Sequence, residues 1–200
     1  MIKYFEVKNL PVICFDNFYT QEEYTKLWHE LTFLNYDNKM LGPNSNVGAY
    51  DDAGQPLKRN HGLLLDQVYS GYRQASSILS ITRKIFSEEF IAQCKSKHYF
   101  FEYLASSTRD TVKINYYEDE DEYKTHTDLG TITCVSYFFQ QPKKFTGGNL
   151  LIKNETIMCE NNRLVLFPSI LPHQVEKLNL NKEYKGRNLG RFSITHFIAT

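Results

Sequence analysis

At Thr111 the spacing of apolar residues in this 200-residue chain changes from a helical period to a period of two, which constrains the fold more than any other feature. Val112, Ile114 and Tyr116 alternate with Lys113 and Asn115, the mark of a half-buried strand. Strand-like runs follow at 131–139, 149–152, 163–168, 173–178 and 191–198, punctuated by Pro142, Gly147, Gly148, Pro168, Pro172, Gly186 and Gly190. Short strands broken this often build a sandwich, barrel or jelly roll. The 14 Phe and 14 Tyr residues fit such pleated surfaces.

Before Thr111 the pattern is helical. Thr20-Gln-Glu-Glu23 is a capping box, and behind it Tyr24, Leu27, Trp28 and Leu31 form one apolar stripe that reads as core packing. Ile78, Ile81 and Ile85 predict a second helix, and Ser87-Glu88-Glu89 opens a third. Residues 41–60 have no period and read as a long loop, a candidate substrate side together with Asn60-His61-Gly62; His61 itself reads as a solvated loop residue. Residues 97–108 fit neither period. The expected organisation is a single domain, 1–200, with 1–110 as helical support and substrate loops and 111–200 as the functional core.

Lys+Arg and Asp+Glu are each 23, so no net charge draws the chain to phosphate backbones, and nucleic acid is not an expected partner. No apolar run is long enough for a membrane span, and Met1–Glu6 lacks the pattern of a secretory leader; a cytoplasmic location without membrane association is expected. Cys14, Cys94, Cys134 and Cys159 lack C-x-x-C spacing, which argues against a zinc knuckle and favours reduced thiols.

Among six histidines, one lies two residues from a carboxylate in an extended context: His126-Thr127-Asp128. Residues i and i+2 of a strand share a face, so this pair can grip one metal ion. His173, after a strand and a Pro-rich turn, is the best third ligand. Two His and one Asp form a facial triad with open positions, suited to non-haem Fe(II) and O2.

The ordered set Tyr117, Tyr123-Lys-Thr-His126-Thr-Asp128, Ile132-Thr-Cys-Val-Ser-Tyr137, Gly147-Gly148, His173 and Arg191-Phe-Ser193 resembles the 2-oxoglutarate/Fe(II)-dependent dioxygenases of the prolyl 4-hydroxylase type, over residues 111–198. The resemblance implies a mainly β chain with N-terminal α-helices and a double-stranded β-helix (jelly roll) core. It implies Fe(II), 2-oxoglutarate as co-substrate and O2, with ascorbate as an optional reductant. His126, Asp128 and His173 then hold the metal. Arg191 meets the far carboxylate of 2-oxoglutarate, since guanidinium pairs with carboxylate in two-pronged fashion. Ser193 and Tyr137 add hydroxyl donors to it, and Tyr117 contacts the keto acid or the substrate. Arg187 is the alternative anchor but sits in a loop that reads as solvated. Tyr123 packs against the ligand strand, and Gly147-Gly148 makes a tight turn.

The implied reaction is hydroxylation of an unactivated C–H bond with release of succinate and CO2. Asp128 favours hydroxylation, because halogenating relatives lack that carboxylate. A prolyl residue of a protein or peptide is the first substrate expected, and a free amino acid or small metabolite the second. Two departures from the family pattern stand out. Glu118–Glu122 is wholly acidic where glycines are usual; it reads as a solvated loop at the mouth of the site that favours basic or neutral substrates. His196-Phe197 stands where many relatives carry Trp. Rival readings are a zinc hydrolase and a non-catalytic jelly-roll binding module.

Overall fold

The computed structural model describes residues 1–36, 39–42 and 50–200. In chain order its strands are β1 (Ile2–Val7), β2 (Leu10–Asp16), β3 (Lys58–Arg59), β4 (His61–Leu64), β5 (Arg109–Tyr117), β6 (Glu122–His126), β7 (Ile132–Phe138), β8 (Phe145–Gly147), β9 (Leu150–Ile152), β10 (Glu155–Ile157), β11 (Arg163–Pro168), β12 (His173–Val175), β13 (Leu178–Leu180) and β14 (Arg191–Ala199). A seven-stranded sheet runs β1-β2-β11-β7-β14-β5-β4, a five-stranded sheet runs β10-β9-β12-β6-β3, and β13 pairs with β8. Two sheets of this kind make the expected jelly roll. The helices are α1 (Gln21–Tyr36), α2 (Leu65–Val68), α3 (Ser77–Ile81) and α4 (Glu88–Lys95).

The period-two pattern of β5 and β14 divides their side chains between two environments. Val112, Ile114, Phe192 and Ile194 pack against Leu27, Leu31 and Leu34 of α1 and Ile78 of α3. The opposite face, with Lys113, Asn115, Tyr117, Arg191, Ser193 and Thr195, lines a cavity of about 530 Å³ between the two sheets. The polar half of β5 therefore faces an internal cavity rather than bulk water.

The helix signals hold. Glu23 N–H donates to Thr20 Oγ1 at 3.2 Å while Thr20 N–H donates to Glu23 Oε2 at 2.8 Å, a complete capping box. Ser87 caps α4 by accepting from Phe90 N–H. The isoleucine run divides into α3 and a 3-10 turn over Thr82–Phe86, and Tyr99–Leu104 is a further 3-10 turn.

The chain does not begin with helices, however: β1 and β2 form a hairpin that extends the large sheet through β2 and β11. Val12, Ile13, Cys14 and Phe15 are all buried, because β2 is covered on both faces. A strand of that kind shows a continuous apolar run instead of an alternation. The run at 173–178 is likewise two strands, β12 and β13, in different sheets. The four cysteines are free and buried.

Candidate active site

His126 ends β6 and His173 begins β12, and the two are cross-strand partners. Asp128 follows two residues after β6, where its N–H donates to Ser169 O at 3.0 Å. One potential ligand atom from each of His126, Asp128 and His173 lies within 4.8 Å of the others. His126 Nε2 is 3.6 Å from Asp128 Oδ1, and His173 Nε2 is 3.3 Å from Oδ2.

Each imidazole is oriented from behind. Nδ1 of His126 is 2.9 Å from Lys124 O, and Nδ1 of His173 is 2.9 Å from Leu171 O. A carbonyl only accepts, so both Nδ1 atoms carry a proton, which leaves Nε2 of each ring, facing the common point, as the atom that can ligate a metal. Thr133 donates to Asp128 Oδ2 at 2.7 Å and meets Ser169 Oγ at 2.9 Å. Burial works to raise the Asp128 pKa, but His126, His173 and Thr133 outweigh it and hold the carboxyl well below its ordinary range. The set is anionic, oriented and able to hold a divalent metal. Tyr123 stacks on His126 with ring centroids 3.5 Å apart and planes 10° from parallel, so its packing acts directly on a candidate ligand.

Arg191 is the second pole. It is 1% exposed, and Nε and one terminal nitrogen have no hydrogen-bond partner. Its guanidinium carbon lies 4.7 Å from the ring centroids of both Tyr117 and Tyr137, and the Tyr137 hydroxyl is also buried without a partner. Ser193 lies one residue along the same face, in the same cavity. A buried guanidinium with open donors is costly unless an anion completes it. These donors fit a carboxylate, and the two-His, one-Asp set fits Fe(II); neither demands a residue the chain lacks. Gly148 adopts φ +67°, and a Cβ there would come within 3.2 Å of Arg191 Cδ, so the turn leaves room for the arginine stem. Arg187 is exposed, as its loop context implied.

Two expectations are corrected, on the acidic run and on His61. Glu118–Glu122 is neither a freely solvated loop nor part of the cavity lining. Glu118 and Asp121 are buried: Glu118 accepts from Tyr116 Oη and Gly186 N–H, Asp121 accepts from Glu118 N–H, and Arg59 pairs with Asp121. Arg59 and Gly186 lie far along the chain and Tyr116 lies just before the run, so composition alone cannot reveal these partners. His61 is not a loop residue but lies in β4, opposite Tyr116. At 196–197 strand parity decides: Phe197 lines the cavity, whereas buried His196 faces away from it, 3.5 Å from Asp110. Much of the 41–60 loop, residues 43–49, lies outside the described residues.

Residues 112–199 match the family model of the 2OG-Fe(II) oxygenase superfamily. Among solved structures, the chain is similar to a prolyl hydroxylase from Trichoplax adhaerens in complex with a hypoxia inducible factor peptide fragment (TM-score 0.62, 15% identity, covering 94% of this chain and 83% of that one). It is also similar to a Pseudomonas putida prolyl-4-hydroxylase (0.60, 14%, 94% and 92%). A third is the viral collagen prolyl hydroxylase of Paramecium Bursaria Chlorella virus-1 (0.53, 11%, 94% and 96%). No curated protein sequence matches significantly. At these identities the structural likeness speaks for the fold, and the family model speaks for the chemistry. Residues 112–199 accordingly match the 2OG-Fe(II) oxygenase superfamily, which supports a 2-oxoglutarate/Fe(II)-dependent dioxygenase in a chain whose fold is prolyl 4-hydroxylase-like.

Proposed function

We propose that this dioxygenase hydroxylates an unactivated C–H bond, with a prolyl residue of a peptide as the first substrate to assay and a free amino acid as the second. His126, Asp128 and His173 hold Fe(II) in this reading, and Arg191, Tyr137 and Ser193 hold the far carboxylate of 2-oxoglutarate. Tyr117, which lines the cavity with its ring 4.7 Å from the Arg191 guanidinium carbon, contacts the keto acid or the substrate in this reading. The observation that carries the reading is the buried Arg191 guanidinium, which has open donors and lines the same cavity as the His/Asp cluster, with the Tyr137 ring 4.7 Å behind it and the Tyr137 hydroxyl also unpartnered. The prolyl assignment draws on the likeness to the prolyl hydroxylases, one of them bound to a peptide.

Bound Fe(II), with 2-oxoglutarate and O2, supplies the oxidising power, and 2-oxoglutarate leaves as succinate and CO2. The protein's part is orientation and charge matching. The backbone carbonyls behind His126 and His173 fix both Nε2 atoms, Thr133 fixes Asp128, and the walls of the two sheets keep bulk water from Arg191. Incubation with Fe(II), 2-oxoglutarate and prolyl peptides or free amino acids tests this by mass spectrometry. Succinate formation coupled to a one-oxygen gain supports it. Metal-dependent hydrolysis that proceeds without 2-oxoglutarate would instead favour the zinc hydrolase.

A further inference from the structure

Two loops meet beside the metal site, and each carries one large aliphatic side chain into solvent. The first runs from Asp128 to β7 and presents Leu129, which is 92% exposed and lines the cavity. The second joins β11 to β12 and presents Ile170, 72% exposed, in a turn closed by Leu171 N–H donating to Pro168 O. The residues on either side of both tips are held in place. Asp128 N–H donates to Ser169 O at 3.0 Å and Ser169 N–H to Thr131 O at 3.1 Å, which ties the loops together. Ser169 Oγ meets Thr133, the donor to Asp128, and Leu171 O orients His173. Gly130 lies so close to β14 that an added Cβ would sit 2.8 Å from Ile198 O, the oxygen that accepts from Thr131 N–H at 2.7 Å. Val135, Leu150, Phe167 and Val175 of the cavity wall pack into one core cluster, whereas Leu129 and Ile170 belong to none among the described residues.

Resting on the function proposed above, we infer that Leu129 and Ile170 are specificity-determining residues, which bind a large apolar side chain next to the hydroxylated residue of a peptide. A single exposed aliphatic residue is ordinary on a protein surface, but these two sit together on tips fixed by the framework of the metal site. Because the backbone at both tips is already held, covering them has little ordering cost, and the apolar area removed from water goes into affinity. The surface is continuous with the cavity through Leu129, one residue from Asp128, which assigns the substrate as its occupant. Ile170 lies outside the cavity lining, so an occupant that covers both must extend beyond the cavity. A peptide does so with a neighbouring residue, whereas a free amino acid seated at the metal has no second side chain to offer.

The test uses the full chain loaded with Zn(II), a diamagnetic stand-in for iron, and saturating 2-oxoglutarate. Methyl NMR signals of Leu129 and Ile170 are followed during titration with capped Gly-Leu-Pro-Leu-Gly, its Gly-Ser-Pro-Ser-Gly counterpart or free leucine. The inference expects saturable shifts of both residues with the leucyl peptide, at an affinity about tenfold or more above that of the seryl peptide. Leu129→Ser and Ile170→Ser should each lose a similar factor. Equal affinity for the two peptides, free leucine matching the leucyl peptide, no saturable shift, or variants that bind like the wild type overturn it. Each variant changes an exposed side chain, and its Fe(II)–2-oxoglutarate absorption band checks that the site is intact. Absence of that band in the wild-type chain would instead count against the proposed function, so the two failures are distinguishable.

Discussion

Arg191 and Tyr137 face one another across 4.7 Å, guanidinium carbon to ring centroid, in a fully buried site where both keep unused hydrogen-bond donors. Without an anion that arrangement carries an unneutralised buried charge. Arg191→Met should therefore be at least as stable as the wild type in the absence of 2-oxoglutarate. It should also lose the rise in melting temperature that 2-oxoglutarate gives the wild type, with affinity down about 100-fold or more while metal binding persists. Tyr137→Phe, which removes one neutral donor, should cost about 1 kcal/mol of 2-oxoglutarate binding. Calorimetric titration of the three proteins separates these effects.

Tyr123 should tune the metal without touching it. Its near-parallel stack fixes the ring plane of His126. Tyr123→Leu is expected to weaken Fe(II) affinity by about tenfold, whereas Tyr123→Phe should behave like the wild type. Competition with a chromogenic chelator reads the difference. Equal affinity in all three would make the stack incidental.

Gly147 has φ +69°, and a Cβ there would lie 2.1 Å from Lys177 O, where β8 meets β13. Gly147→Ala adds left-handed strain and a backbone clash, so a loss of about 2–4 kcal/mol is expected in urea unfolding. Gly186, also left-handed but with nothing within 4 Å of an added Cβ, should lose about 1–2 kcal/mol when changed to Ala.

The N-terminal hairpin is fastened to the core by Arg163, whose Nε donates to Asp16 Oδ1 at 2.5 Å. The hydrogen bond from Arg163 holds the Asp16 carboxyl below its ordinary value of 3.8. A depressed folded pKa contributes stability above the unfolded value that is lost as pH falls through the folded one. Asp16→Asn should be less stable than the wild type by about 1–2 kcal/mol near pH 7, and the gap should close progressively below about pH 4. A pH series of melting curves checks the sign.

Where a physical pattern is local, the sequence revealed it. The H-x-D pair and the capping box needed only strand or helix geometry over a few residues, and the i, i+2 rule put Arg191 and Ser193 on one face. Parity also carries a further signal: Lys113 and Asn115 share the face of Tyr117, so the polar side of β5 borders the site. What stayed hidden depended on distant partners. The role of Glu118 requires Gly186, 68 residues on, that of Tyr123 requires knowing that β6 folds its ring onto His126, and β2 is typed as a strand by cover on both faces.

The central claim is that one cavity joins a His/His/Asp metal site to a guanidinium that anchors 2-oxoglutarate. Anaerobic titration of the metal-free protein with Fe(II) and then 2-oxoglutarate tests it most directly. A weak visible charge-transfer band should develop to one equivalent of 2-oxoglutarate, vanish in His173→Ala, and in Arg191→Met form only at far higher co-substrate concentration. A folded, Fe(II)-loaded wild-type protein that shows no band at saturating 2-oxoglutarate would contradict the account.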